Sequence, residues 1–451
     1  MAESATLAAQ EVTRIASELI GFDTTNRGGG DCCERKAAEH VAGLLAEAGL
    51  DPVLLESAPG RSNVVARVTG ADPDQPALLL HGHLDVVPAD PAAWSVDPFA
   101  GEVRDGVIWG RGAIDMKNAV AVLIALAREW SRSGRRPQRD LVLAFTADEE
   151  DTAAYGAKWL VDEHADLFAG CTEAIGESGG FTFHARPGLR LYPVASAERG
   201  TAWLKLTARG TAGHGSKPNG ANAVVRLAEA VTRIADYQWP LRLIPTVRAA
   251  VDAIAEAIGS TVPDDPADAA DLLSRLGPGA PLVSGTVRNS ANPTMLQAGY
   301  KVNVIPGEAV AYVDGRVLPG FDDEFVAALD ELTGPHVTWE YAHRERPVES
   351  PVDSPLVAAM TAALLAEDPG STVIPHCMSG GTDAKQFARL GMACYGYTPL
   401  VLPPGYDYYA MFHGVDERVP VTALEASLRI MDRLLAADGL TAPGERGSSP
   451  A

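Results

Sequence analysis

Two hydrophobic periods alternate over the first half of the chain. Apolar positions recur at helical spacing over 7–21 and 34–49, then close up into strand-like runs near 62–69 and in PALLLHGHLDVV. The exchange repeats as a helical pattern over 117–131, the strand DLVLAFTADEE, a helix over 153–164 and the strand TEAIGES. Strands separated by helices in this way predict an α/β domain with a mostly parallel central sheet flanked by helices. Sheets of that kind place their sites at the carboxyl ends of strands.

From about 199 the texture changes. TAWLKLTARG and EAVAYVDGRVL alternate like half-buried strands, with helical patterns over 221–236 and 322–332, which predicts a smaller α+β domain. Residues 240–290, rich in Ala, Asp, Pro and Gly, read as an insertion with helical pieces. Beyond 350, SPLVAAMTAALLAE and VTALEASLRIMDRLLAA flank the Gly-rich MSGGTDAKQF, and the chain is expected to return to its first domain. The expected organisation is therefore 1–198 and 349–440 for the larger domain, 199–348 for the smaller one, and a disordered small and polar tail over 441–451.

Composition narrows this picture. A chain of 451 residues, 46% hydrophobic and 21% charged, exceeds the reach of a single core, so two domains are the default. The formal charge of −22 argues against nucleic acid and anionic membrane as partners. Five cysteines (Cys32, Cys33, Cys171, Cys377, Cys394), odd in number and without a CxxC pair, suggest neither a disulfide framework nor a structural zinc site. A reducing cytoplasm is the simplest setting. The acidic start, with polar residues at helical spacing, is unlike a secretory leader, and no segment approaches the roughly 20 apolar residues of a membrane span.

The chemistry sits at predicted strand ends. In HGHLDVVP, period two puts His81, His83 and Asp85 on one face, and a carboxylate beside an imidazole can fix its tautomer and raise its basicity. Asp115 in WGRGAIDMKN either caps the following helix or serves as a ligand. TADEED brings Glu149 and Glu150 to a strand exit, GESGG does the same for Glu177, and a late histidine, His413 in FHGVDERVP, closes the set. Each acid taken singly reads as a cap or a solvated turn. Together they share one topological position at a spacing of about 30 residues, as βα units require. Two Zn²⁺ would be balanced by Asp115, Glu150, Glu177 and a bridging hydroxide, with Co²⁺ or Mn²⁺ as substitutes. Such a pair suits amide hydrolysis, because it acidifies water and polarises a carbonyl.

HGHLDVVP, GRGAIDMK, ADEE, GESGG, TAGHGSKP, KVNVIP, GGTDA and FHGVDE, in this order over about 10–435, resemble the co-catalytic zinc family of aminoacylase, acetylornithine deacetylase, succinyl-diaminopimelate desuccinylase and carboxypeptidases. The resemblance implies that His83 and Glu177 bind one zinc, Glu150 and His413 the other, and that Asp115 bridges them. Asp85 would orient His83, and Glu149 would be the general base. It further implies that the smaller domain is a lid that mediates homodimerisation, that His214 stabilises the oxyanion at the partner's site, and that Asn303, Arg316, Gly381 and Thr382 hold the substrate. Asn118 departs from the Gly that many relatives carry after DMK. The insertion, AAWSVDPF and FHGVDERVP are most like the carboxypeptidase S and N-acyl-amino-acid hydrolase branch.

The expected activity is hydrolysis of the amide bond of an N-acyl-L-amino acid or a short peptide with a free carboxylate. A strict dipeptidase or carboxypeptidase shares every one of these residues. A non-catalytic binding protein on the same fold would be expected to have lost Glu149, His214 or a ligand, and all are present. Nucleotide binding lacks both the GxGxxG fingerprint and a Walker loop.

Overall fold

The computed structural model describes residues 2–266 and 268–436. The expected tail over 441–451 lies outside them. The chain divides into two compact units: one takes the chain up to Ala195, Ser350–Ile374 and the part from Thr382 on, the other Ser196–Glu349 with Pro375–Gly381. Residues 375–381, read from sequence as part of the return to the first domain, thus belong to the second unit.

The first unit is built on a sheet whose centre is parallel. Strand Leu141–Thr146 pairs in parallel with Ala77–His83, that strand with Cys171–Gly176, and that one with Ala393–Gly396. Antiparallel strands Arg61–Val68 and Val53–Ala58 extend one side. All seven residues of Ala77–His83 are buried. The strand is covered on both faces, and its alternation shows in which core each side chain joins. Leu78 and Leu80 enter a cluster with Ile15, Leu19, Ile124 and Leu428 from three helices. Leu79 enters another with Leu160 and Phe387. Helices Ala2–Ile20, Arg35–Glu47, Lys117–Ser133, Pro355–Glu367 and Val421–Leu435 lie where the apolar spacing put them.

His81 follows the parity of Leu79. Its ring packs at 4.9 Å from Phe387, and burial holds its pKa down to about 3, so it is a neutral core residue. Gly176 backs it: a Cβ there would come within 2.2 Å of the His81 ring. The chain leaves the strand after His83, so the shared face with Asp85 does not extend to a shared site for His81.

The second unit carries an antiparallel sheet in the order Ser290–Ala298, Glu308–Val317, Gly200–Arg209, Val337–Glu345. Helices Ala223–Asp236 and Asp322–Thr333 supply Leu227, Ile234, Phe325 and Leu329 to a core with Leu204, Leu206 and Val313. The insertion contributes helices Pro245–Ile258 and Ala269–Leu276. Among the described residues, no helix is long and apolar enough to cross a membrane.

Candidate metal centre and active site

Six of the singled-out residues come together in the first unit: His83, Glu149, Glu150 and Glu177 at or just beyond strand ends, Asp115 in the turn before helix Lys117–Ser133 rather than at a strand end, and His413 in the loop after helix Tyr408–Met411. His83, the last residue of its strand, directs Nε2 to 3.1 Å from Asp115 Oδ1, 3.6 Å from Glu177 Oε2 and 4.0 Å from Glu149 Oε2. Asp115 faces the other way as well, with Oδ2 3.4 Å from His413 Nε2, which is also 3.1 Å from Glu150 Oε2. One carboxylate therefore stands between two imidazoles, an oxygen toward each. Asp115 does not cap the helix that follows, which begins after Met116 without a side-chain cap. Glu149 and Glu150 are not a solvated turn either, with side chains only 13% and 5% exposed.

Charge crowding marks the site. Burial, then the neighbouring Glu177, pushes Glu149 well above the usual carboxylate range. Burial, then Asp115, raises Glu150 to about 7, and burial raises Glu177 to about 8 against the lowering effect of His83. Asp115 alone goes down: burial would raise it, but hydrogen bonds from His413 and His83 win. The same contacts lift His413 to about 10, and Glu177 and Asp115 hold His83 high despite its burial. Four acids around two imidazoles, with Glu150 Oε1 buried and unpartnered, form a donor set short of positive charge. Two overlapping triads, His83 with Glu149 and Glu177 and His83 with Asp115 and Glu150, keep their ligand atoms within 4.8 Å and could each hold a metal ion. Asp148, Ser178 and His413 adopt positive φ of 65°, 71° and 53°, backbone strain gathered at the turns that present these side chains.

Supporting residues hold this geometry, and sequence reading misses most of them. His83 Nδ1 donates to the Asp85 main-chain carbonyl at 2.9 Å, whereas the Asp85 carboxylate is 3.7 Å away, beyond hydrogen-bond range. That carboxylate instead accepts from the backbone N–H groups of Glu149 and Glu150, both at 3.2 Å, and from Asn26 at 2.9 Å. Asp85 thus orients the ring by its carbonyl and the acidic turn by its side chain. Asn26 also donates to Asp148, which is paired with buried Arg61, itself held by Glu34. Glu417, fully buried, accepts from Arg111 and from the backbone N–H groups of Gly112, Ile114 and Asp115 at 2.6–3.0 Å. It ties the Asp115 loop to the segment bearing His413. The FHGVDE motif contains Glu417 four residues after that histidine, and the spacing alone gives it no role.

The remaining candidates lie apart in sequence and in role. His214, exposed in the second unit, is on a two-residue strand paired with Val304–Ile305. The Ser216 backbone N–H donates to His214 Nδ1 at 3.2 Å, which leaves the ring proton on Nε2. Asn303, also exposed, accepts at its carbonyl from Gly215 N–H. Arg316 is gripped on its own strand by both oxygens of Asp314, at 2.8 and 3.2 Å, and touches Thr201 Oγ1 at 3.3 Å. Its fork therefore already holds a resident carboxylate. Gly381 ends the second unit's last segment, and Thr382 Oγ1 accepts from Ala384 N–H at the start of a short helix.

Residues 79–437 match the model of Peptidase family M20/M25/M40. Among curated relatives, N-fatty-acyl-amino acid synthase/hydrolase PM20D1 of Homo sapiens is 29% identical over 388 residues, covering 82% of this chain and 75% of its own. Aminoacylase-1 of Homo sapiens is 27% identical over 401 residues, 86% of each. The M20 family metallo-carboxypeptidase Sso-CP2 of Sulfolobus solfataricus shares the fold with a TM-score of 0.70 at 17% identity, over 94% of this chain and 98% of the other. A dinuclear metal-binding M20 peptidase of Bacillus subtilis, YXEP, superposes with a TM-score of 0.56 at 13% identity, over 94% and 98%.

Proposed function

The chain belongs to Peptidase family M20/M25/M40, a family of metal-dependent hydrolases, and on that footing we propose that it is a di-zinc amidohydrolase acting on N-acyl-L-amino acids. The observation that carries this reading is Asp115 placed between His83 and His413, with Glu149, Glu150 and Glu177 around it in one buried cluster. His83 and Glu177 would hold one ion, Glu150 and His413 the other, with Asp115 shared. Imidazole with carboxylate suits zinc, and Co²⁺ or Mn²⁺ would substitute. When bound, such a pair supplies an acidified water and a polarised carbonyl.

The protein's own groups do the rest. Glu149, whose carboxyl is held high by burial and Glu177, takes a proton and returns it to the leaving amine. The Asp85 carbonyl fixes the His83 tautomer with Nε2 free to ligate, and the Asp85 carboxylate sets the spacing of Glu149 and Glu150. His214, with its proton on Nε2, is a donor suited to a developing oxyanion. It would act across a homodimer. Met295 and Leu296 on the edge strand of the second unit, 51% and 64% exposed, offer an apolar surface for that contact. Asn303, Gly381 and Thr382 would meet the substrate, and Arg316 would take its carboxylate by exchanging the Asp314 pair. The unpaired cysteines fit a cytoplasmic setting.

The names of the relatives, a fatty-acyl-amino acid hydrolase and an aminoacylase, favour an acyl-amino acid over a dipeptide. A panel of N-acyl-L-amino acids and dipeptides, assayed for released amine with zinc present, should show faster turnover of the acylated set. Faster turnover of dipeptides would move the assignment to a dipeptidase, and no amine from either set would defeat the proposal.

A further inference from the structure

The second unit contains a cleft of about 380 Å³ where helix Ala223–Asp236 ends and strand Ser290–Ala298 begins. Arg199, Gln238, Ser284, Arg288, Ser290 and Asn292 line it with polar groups, and no Asp or Glu lines it. In a chain of net charge −22, two arginines lining one cavity without an acid stand out.

Arg199 is the decisive residue. Among the described residues three arginines are buried: Arg61, Arg111 and Arg199, at 1%, 3% and 7% exposure. Arg61 is paired with Glu34 and Asp148 at 2.8 Å, and Arg111 with Glu417 at 2.7 Å. Arg199 has neutral hydrogen-bond partners only: Nη1 donates to Ser290 Oγ at 3.0 Å and Nε to the Ser379 carbonyl at 3.3 Å, while Asp314, whose charge reaches it, is engaged by Arg316. A buried cation without a counter-charge is costly, and burial pulls this guanidinium down to about 10. Arg288, half-buried on the same cleft, likewise has no ion-pair partner among the described residues. The volume falls within the range of small-molecule sites.

We propose that this cleft binds a small carboxylate-bearing molecule between Arg199 and Arg288. The guanidinium fork matches a planar oxyanion, and Gln238, Ser284 and Asn292 add neutral donors. The choice of carboxylate over other oxyanions rests on the proposed function, because acyl-amino acids and both products of their hydrolysis carry one. The counter-charge argument for an anion does not depend on that reading.

Calorimetric titration of the full chain, as purified with its metal, tests this with succinate and, separately, inorganic phosphate. Arg288→Gln and Gln238→Ala are the variants, with circular dichroism as the folding control. Saturable succinate binding should weaken at least about tenfold in Arg288→Gln and less in Gln238→Ala. Absence of saturable binding, or equal affinity in wild type and both variants, would overturn the site. Arg288-dependent binding of phosphate without succinate would overturn the carboxylate assignment. Binding that persists in a protein that releases no amine from any substrate would sink the amidohydrolase reading and leave the cleft standing.

Discussion

The first unit crowds four carboxylates around two imidazoles, and the second lines a cleft with two arginines and no acid. Both are buried charges without their complement, and they differ in what they ask for. In the first, burial, reinforced by neighbouring carboxylates, lifts Glu177 to about 8 and Glu150 to about 7, so the complement is a cation. In the second, burial lowers Arg199 to about 10, so the complement is an anion. Elsewhere the fold matches particular buried charges: Arg61 sits between Glu34 and Asp148, and Glu417 meets Arg111 and three backbone donors, whereas buried Lys117 donates to the Phe22 carbonyl. Mismatch gathered in one cluster or around one cavity points to ligands.

Four substitutions or conditions sharpen or break that contrast. The largest effect is expected for Glu149→Gln, which should lower kcat by about 10²- to 10⁴-fold while metal content by elemental analysis stays at the wild-type level. Loss of metal with activity would instead make Glu149 a ligand, as the His83–Glu149–Glu177 grouping geometrically permits. His214→Ala, in the second unit, should lower kcat by about 10²- to 10³-fold with KM and metal content little changed. An unaltered kcat would remove that unit from the chemistry.

Glu417→Gln should weaken metal binding by about 10- to 100-fold, the scale of losing an outer partner that fixes a ligand loop. Competition with a chelator reads this out. Unchanged affinity would show that the Asp115 loop holds its shape without Glu417. The last effect concerns pH. In the metal-free chain, Glu150, Glu177 and His413 keep protons at pH values where the unfolded chain has released them. Folded-state proton binding therefore exceeds unfolded, and this stability, full below the unfolded values, is lost as pH rises through about 7, 8 and 10. The slope is about 1.4 kcal/mol per pH unit for each extra proton on buried Glu150 and Glu177, and smaller for His413, whose exposed ring is screened by solvent. Saturating metal displaces these protons and should abolish the decline. Denaturant melts at pH values of about 5.5 and 8, with and without metal, measure it; metal-free stability that rises over this interval would contradict the crowding argument.

Much of the candidate cluster was legible because strand-end positions can be counted along the sequence. His83, Glu149, Glu150 and Glu177 end or follow central strands as the alternation of helix and strand implied, whereas Asp115, in the turn before a helix, and His413, in the loop after one, join them from other positions. Long helices such as Lys117–Ser133 and Val421–Leu435 were legible for the same reason, a sustained apolar spacing. What escaped is pairing at a distance. Glu417 meets Gly112 across 305 positions and Asn26 meets Asp148 across 122, and no local pattern announces such partners. His81 shares the parity of His83, yet Phe387 and Gly176, both remote in sequence, make it part of the core. The roles of Asp85, split between carbonyl and carboxylate, and the unmatched charge of Arg199 likewise exist only in three dimensions.

The central claim, a two-metal site that hydrolyses an acyl-amino acid, is tested most directly by adding zinc stepwise to metal-free protein while following bound zinc and amine release together. The account predicts binding that saturates at two zinc ions per chain, turnover that appears with them, and loss of both in Asp115→Asn. Saturation at a single ion, or two ions bound with no amine released from any acyl-amino acid or dipeptide, would contradict it.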